Sequence, residues 1–139
     1  MTLWRPPPVE PGRAAIGLTA LRCGLALLIA IHGWARLVAG GVVPFGGFLD
    51  GAGFPLGLAI AAAITAFEIL GTPLLAWGRL VLPLTLGYAF IYAMGIVLVH
   101  APAGWFVVGL GRNGAEYSVL LIIALLVVGL QAWPRKAPL

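Results

Sequence analysis

The chain has 139 residues, of which 62% are hydrophobic and 9% charged, with a formal net charge of +4 and a mean hydropathy of +1.09. Globular domains carry charge on about a quarter of their residues, so this composition excludes a water-soluble fold and points to a chain dissolved in the lipid bilayer. The eight basic residues are scattered beside apolar runs rather than gathered with aromatics into a stripe, which excludes a nucleic-acid surface.

The opening segment, residues 1–13, is rich in proline, has no periodicity, and reads as a disordered cytoplasmic tail. Four apolar stretches follow, about 14–37, 55–77, 80–100 and 115–133, each close to the roughly 20 residues a helix needs to cross the hydrocarbon. The first runs on too long for the apolar core of a cleaved signal peptide and is expected to be retained. The expected fold is therefore all-α: an integral membrane four-helix bundle over residues 14–134, with a short basic cytoplasmic tail at 135–139. Between the first two spans lies GGVVPFGGFLDGAGFP, rich in glycine yet carrying more apolar side chains than a solvated loop requires. It is expected to form an interfacial or re-entrant cap, because irregular backbone at membrane depth must be buried in protein or line a cavity. The short link between Trp77 and Leu80 makes spans two and three an antiparallel hairpin with Arg79 at its tip.

Arg5, Arg13, Arg79, Arg135 and Lys136 fall on the side of the termini, against Arg36 and Arg112 on the other, which by the positive-inside rule places both ends in the cytoplasm. Trp34 and Trp105 then mark the outer interface, and Trp77 and Trp133 the inner one.

An ionisable residue within a span is a functional candidate by default. Arg22 stands about eight residues beyond the inner end of span one and Glu68 about nine before the inner end of span two, a similar depth at roughly 1.5 Å per residue. The two are expected to form a buried ion pair. Such a pair serves either to set helix register or as a proton-responsive, ligand-polarising centre. Pro73 cannot donate to the carbonyl of Ile69, leaving an acceptor beside Glu68, and Gly57, Ala61 and Thr65 recur every four residues on the approach to it, a packing stripe.

Nearer the outer face, His32 and Arg36 at i, i+4, His100, Arg112 and Glu116 are expected to ring the mouth of the bundle. Fixed positive charge mixed with imidazole and carboxylate suits a quinone head group, an oxyanion or a haem propionate. Nothing beyond His32 and His100 points to haem iron. Packing explanations stand beside these: Asn113 to Glu116 has capping-box spacing, and Tyr88 and Tyr92 at i, i+4 suit a packed interior. Cys23 is the single cysteine, so no CxxC pair or cysteine-based zinc site can form, and no HExxH, phosphate-binding loop or nucleophile grouping occurs.

With these residues in place, the chain resembles the DoxX family of small four-span bacterial membrane proteins over about residues 18–133. The resemblance rests on Arg22, the stretch His32-Gly33-Trp34-Ala35-Arg36, the segment Phe67-Glu68-Ile69-Leu70-Gly71 with Gly78 after it, His100, and Gly114-Ala115-Glu116. It implies a multi-pass protein of the bacterial inner membrane acting as an oxidoreductase subunit. The family takes its name from the membrane subunit of a thiosulfate:quinone oxidoreductase, and some members are linked to sulfur metabolism or oxidative-stress defence. Without a cysteine pair, electrons would come from a membrane or periplasmic redox partner. The competing expectation is a non-catalytic scaffold or assembly subunit. A homo-oligomer is compatible with both, and a small-solute transporter would require one.

Overall fold

The computed structural model describes residues 11–133. The expected disordered tail, apart from its last three residues, and the basic tail at 135–139 lie outside the described residues. Within them every regular element is helical: α1 (Pro11–Val38), α2 (Val42–Gly51), α3 (Gly57–Trp77), α4 (Val81–Gly95) and α5 (Glu116–Gln131). After α4 the chain continues through a wide π-type turn, Ile96–His100, and a tight 3-10 turn, Ala101–Ala103.

Three helical stretches are long and apolar enough to cross a bilayer: Pro11–Val38, Gly57–Trp77 and Val81–Ala103; α5 is apolar but shorter, at 16 residues. This is a membrane-embedded, multi-pass helical protein. Helices apolar on every side are what lipid requires, because the outward faces have no water to meet. Leu27, Leu70, Phe90 and Ile123 accordingly point away from the bundle.

α1 packs on α3 and α5, α4 packs on α5 and α3, and α2 packs on α3. Leu25, Ile29, Leu75, Leu84, Tyr88, Leu121 and Leu125 close the space between the four long helices. α1 and α3 run antiparallel, since Arg22 lies beside Ala76 at one end while Arg36 reaches Thr65 towards the other. The α3–α4 hairpin forms as the short link requires. α3 ends in a Schellman motif, with Gly78 at φ 80° and bonds from Gly78 N to the Leu75 carbonyl and from Arg79 N to that of Leu74; glycine adopts this left-handed turn without steric cost.

Two boundaries differ from expectation in ways that matter. Residues 11–13, read as tail, are the first turn of α1, and α1 runs well past the end of α3 before the bundle begins at about Arg22. The Gly-rich segment between α1 and α3 is largely the ten-residue helix α2. It lies flat on α3 because Gly46 and Gly57 meet backbone to backbone: a β-carbon on Gly46 would stand 2.7 Å from the Leu58 Cα. Asp50 completes the joint, its Oδ1 accepting from Gly57 N at 2.8 Å and so pairing one of the open N–H groups at the start of α3. Asp50→Ala is therefore expected to lower stability by about 1 kcal/mol and to accelerate amide exchange of Gly57, measured by hydrogen exchange in nanodiscs.

Candidate functional site

Glu68 lies near the middle of α3, buried to 2% exposure, and its partner is Arg36. Arg36 Nη1 donates to Glu68 Oε2 at 2.6 Å and to Thr65 Oγ1 at 3.1 Å. The Thr65 hydroxyl in turn donates to the Ala61 carbonyl at 2.7 Å. Outside this line of bonds the Phe45 ring of α2 covers the guanidinium, 4.8 Å from centroid to Cζ, a cation–π contact that orients the charged plane. One arginine thus joins α1, α2 and α3.

The expected Arg22–Glu68 pair does not form. Arg22 stands opposite the last turn of α3, where its Nη2 donates to the Ala76 carbonyl at 3.4 Å; it serves the carbonyl end of the α3 dipole, where a cation is favoured. Depth counted from residue 14 gives the wrong level, because α1 begins at Pro11 and starts short of the bundle. α1 overhangs the bundle, so Arg22 marks the inner end of α3 while Glu68 lies roughly 12 Å further in, at about 1.5 Å per residue. Arg36, for its part, is drawn inward from the rim. Side chains on a helix lean towards its N-terminus, which carries the Arg36 guanidinium down α1 to the level of Gly33. Gly33 has no side chain to block it; a β-carbon there would lie 2.8 Å from Glu68 Cβ.

The carbonyl freed by Pro73 is not left bare. Thr72 Oγ1 donates chiefly to the Glu68 carbonyl at 2.8 Å and lies 3.3 Å from that of Ile69. Tyr88 of α4 closes the other side: it donates to the Phe67 carbonyl at 2.9 Å, its ring tilted at 42° against that of Phe67 with centroids 4.7 Å apart. Tyr92 sits within electrostatic range of Glu68, Arg36 and Tyr117. His32 is exposed on α1 yet within electrostatic range of Glu68. Sequence reasoning placed Thr65 in a packing stripe and Phe45 in the cap, and so missed both as partners of Arg36.

The remaining rim residues are spread over the segment between α4 and α5. His100 Nδ1 donates to the Asn113 carbonyl at 2.8 Å. The Glu116 carboxylate accepts from Val107 N at 2.9 Å instead of closing a capping box on Asn113, whose backbone is left-handed at φ 61°. Backbone bonds from Gly114, Ala115 and Glu116 to Phe106, Gly104 and Trp105 fold the segment onto itself. Arg112 is exposed. Among the described residues no three histidine, cysteine or carboxylate side chains converge as metal ligands.

Beside the ion pair, an apolar groove of about 310 Å³ opens laterally between α1, α2 and α3, lined by Leu37, Val42, Ala62, Thr65, Ala66, Ile69 and Leu70. A guanidinium that spends Nη1 on both of its bonds retains donors at Nε and Nη2, and Arg36 is still 14% exposed. Chemically, the site offers N–H donors of a charge-neutralised arginine near an open apolar groove. Family models, curated proteins and solved structures yield no match to this chain.

Proposed function

We propose that the chain is a DoxX-like, four-span subunit of a redox system in the bacterial inner membrane, with both termini in the cytoplasm. It holds a quinone, or the partner oxidoreductase that reduces one, at the outer part of the bundle around Arg36. The observation that carries this reading is the use Arg36 makes of its nitrogens: Nη1 serves Glu68 and Thr65, leaving Nε and Nη2 to donate elsewhere. Because Glu68 already balances the charge, the remaining donors suit a neutral carbonyl oxygen better than a free anion. The adjacent groove suits an apolar tail. His32 and His100 would stand at the sides of this region, with Arg112 and Glu116 towards the partner.

A quinone accepts two electrons and two protons. With Cys23 as the lone cysteine, the electrons come from the partner. The chain's own part is to bind and orient the head group through the free donors of Arg36, held in place by Glu68 and Thr65, and to keep the pocket dry through Phe45 and Val42. A short-chain quinone titrated against the purified protein in nanodiscs should quench tryptophan fluorescence saturably, and Arg36→Lys, which keeps charge but loses the planar fork, should weaken binding about tenfold, or 1.4 kcal/mol. Absence of saturable binding to the wild type, alone and with its partner, would remove the ligand from this reading.

The scaffold reading draws on the same arginine, since Arg36 ties three helices together. Quinone-dependent turnover of the assembled complex that survives Arg36→Lys and His32→Asn unchanged would favour it.

A further inference from the structure

Arg22 and Arg79 both stand at the α3–α4 turn, and neither has a carboxylate partner among the described residues. The acids described are engaged elsewhere: Asp50 with Gly57 N, Glu68 with Arg36 and Glu116 with Val107 N. Of the five N–H groups of the Arg22 guanidinium, one has an acceptor, the Ala76 carbonyl at 3.4 Å, and that oxygen is shared with Cys23 Sγ at 3.8 Å. Its Nε is enclosed and unpaired. The guanidinium rests over Gly78, where a β-carbon would stand 3.2 Å from Nη1 and 3.4 Å from Nη2. The side chain is thus held by packing more than by its hydrogen bonds, with its terminal nitrogens left to serve a ligand. Arg79 follows directly, its Cα about 3.8 Å from that of Gly78, and its exposed side chain has no bond or ion pair among the described residues.

The carbonyl end of α3 offers about half a unit of negative charge, too little for two cations at one turn. Arginine is shaped to meet an oxyanion with paired oxygens, and the level of the turn says which oxyanion is at hand. Trp77 and Leu80, on either side of Gly78 and Arg79 in the chain, are both exposed. Tryptophan favours the headgroup level of a bilayer, where the phosphates of the surrounding leaflet lie, and the apolar neighbours suit the acyl chains beneath them. Two positive charges without an acid favour a lipid of net negative charge over a zwitterionic one.

We propose that Arg22 and Arg79 together hold the phosphate of an anionic phospholipid at this end of the bundle, a site separate from the one at Arg36. The test is native mass spectrometry of the full chain released from nanodiscs of phosphatidylglycerol and phosphatidylcholine in equal parts. The parent should retain phosphatidylglycerol in preference to phosphatidylcholine. Arg79→Gln should lower that preference about fivefold, the usual weight of one arginine beside an anionic membrane, and Arg22→Gln with Arg79→Gln should remove it. Arg79 is exposed at a turn, so its replacement leaves the packing intact, which helical content by circular dichroism checks. Excess inorganic phosphate should not displace the lipid. Equal retention of the two lipids by the parent, a preference that persists in the double variant, or displacement by inorganic phosphate, which would make the ligand a free anion, would each overturn the proposal.

Discussion

Glu68→Ala is expected to destabilise the protein by about 3–5 kcal/mol, the usual consequence of removing one member of a buried pair and leaving the other charge uncompensated. Arg36 cannot escape to water easily, because Phe45 covers it and Thr65 holds it on the far side. Glu68→Gln should be milder, since an amide oxygen can still accept from Nη1. The informative variant is the double one. Arg36→Met with Glu68→Leu removes both charges and fills similar volume, and apolar replacement of a whole buried pair is often neutral or stabilising. Reversible unfolding in bicelles should therefore rank the double variant well above Glu68→Ala. If Glu68→Ala and the double variant lose stability equally, the stranded guanidinium is not the cause, and Glu68 acts through its own packing. Should the double variant fold well yet lose quinone binding, the pair is kept for the ligand and not for the fold.

How much of this was legible beforehand can be traced through single residues. The apolar stretches and the α3–α4 hairpin were readable because hydropathy and a link too short to wander leave one arrangement. Glu68 was readable because a carboxylate in a span has to be inside. Its partner was not. Pairing by depth assumed that α1 and α3 enter the bundle at equivalent positions, and sequence does not show that α1 continues as an overhang below Arg22. Arg36 looked like a rim residue because only its Cα is near the helix end; its long side chain leans a full turn back along α1, over the gap at Gly33. Glu116 shows the opposite case, where local spacing suggested a cap but the carboxylate found Val107 N–H in a segment whose fold depends on tertiary contacts. The helical nature of α2 was obscured by its glycines, which discourage a helix locally and here permit one by letting it lie on the α3 backbone.

Gly33 offers the second large effect and separates close packing from mere tolerance of glycine. An added methyl at Gly33 would meet Glu68 Cβ at 2.8 Å and Ile69 Cγ1 at 3.2 Å, and the first of these belongs to a side chain fixed by its ion pair. Gly33→Ala should then cost about 1–3 kcal/mol, the range for overpacking a filled interior. Gly33→Leu should force α1 from α3 and break the Arg36–Glu68 contact outright. Gly95→Ala makes the comparison clean: nothing lies within 4 Å of that site, so the gain in helix propensity, up to about 1 kcal/mol, should appear as equal or higher stability. The two variants carry the same chemical change with opposite expected signs, readable in one set of unfolding curves. Were both neutral, α1 and α3 would be free to separate by several tenths of an ångström, and an arginine–carboxylate contact of 2.6 Å would have no rigid pair of helices to hold it.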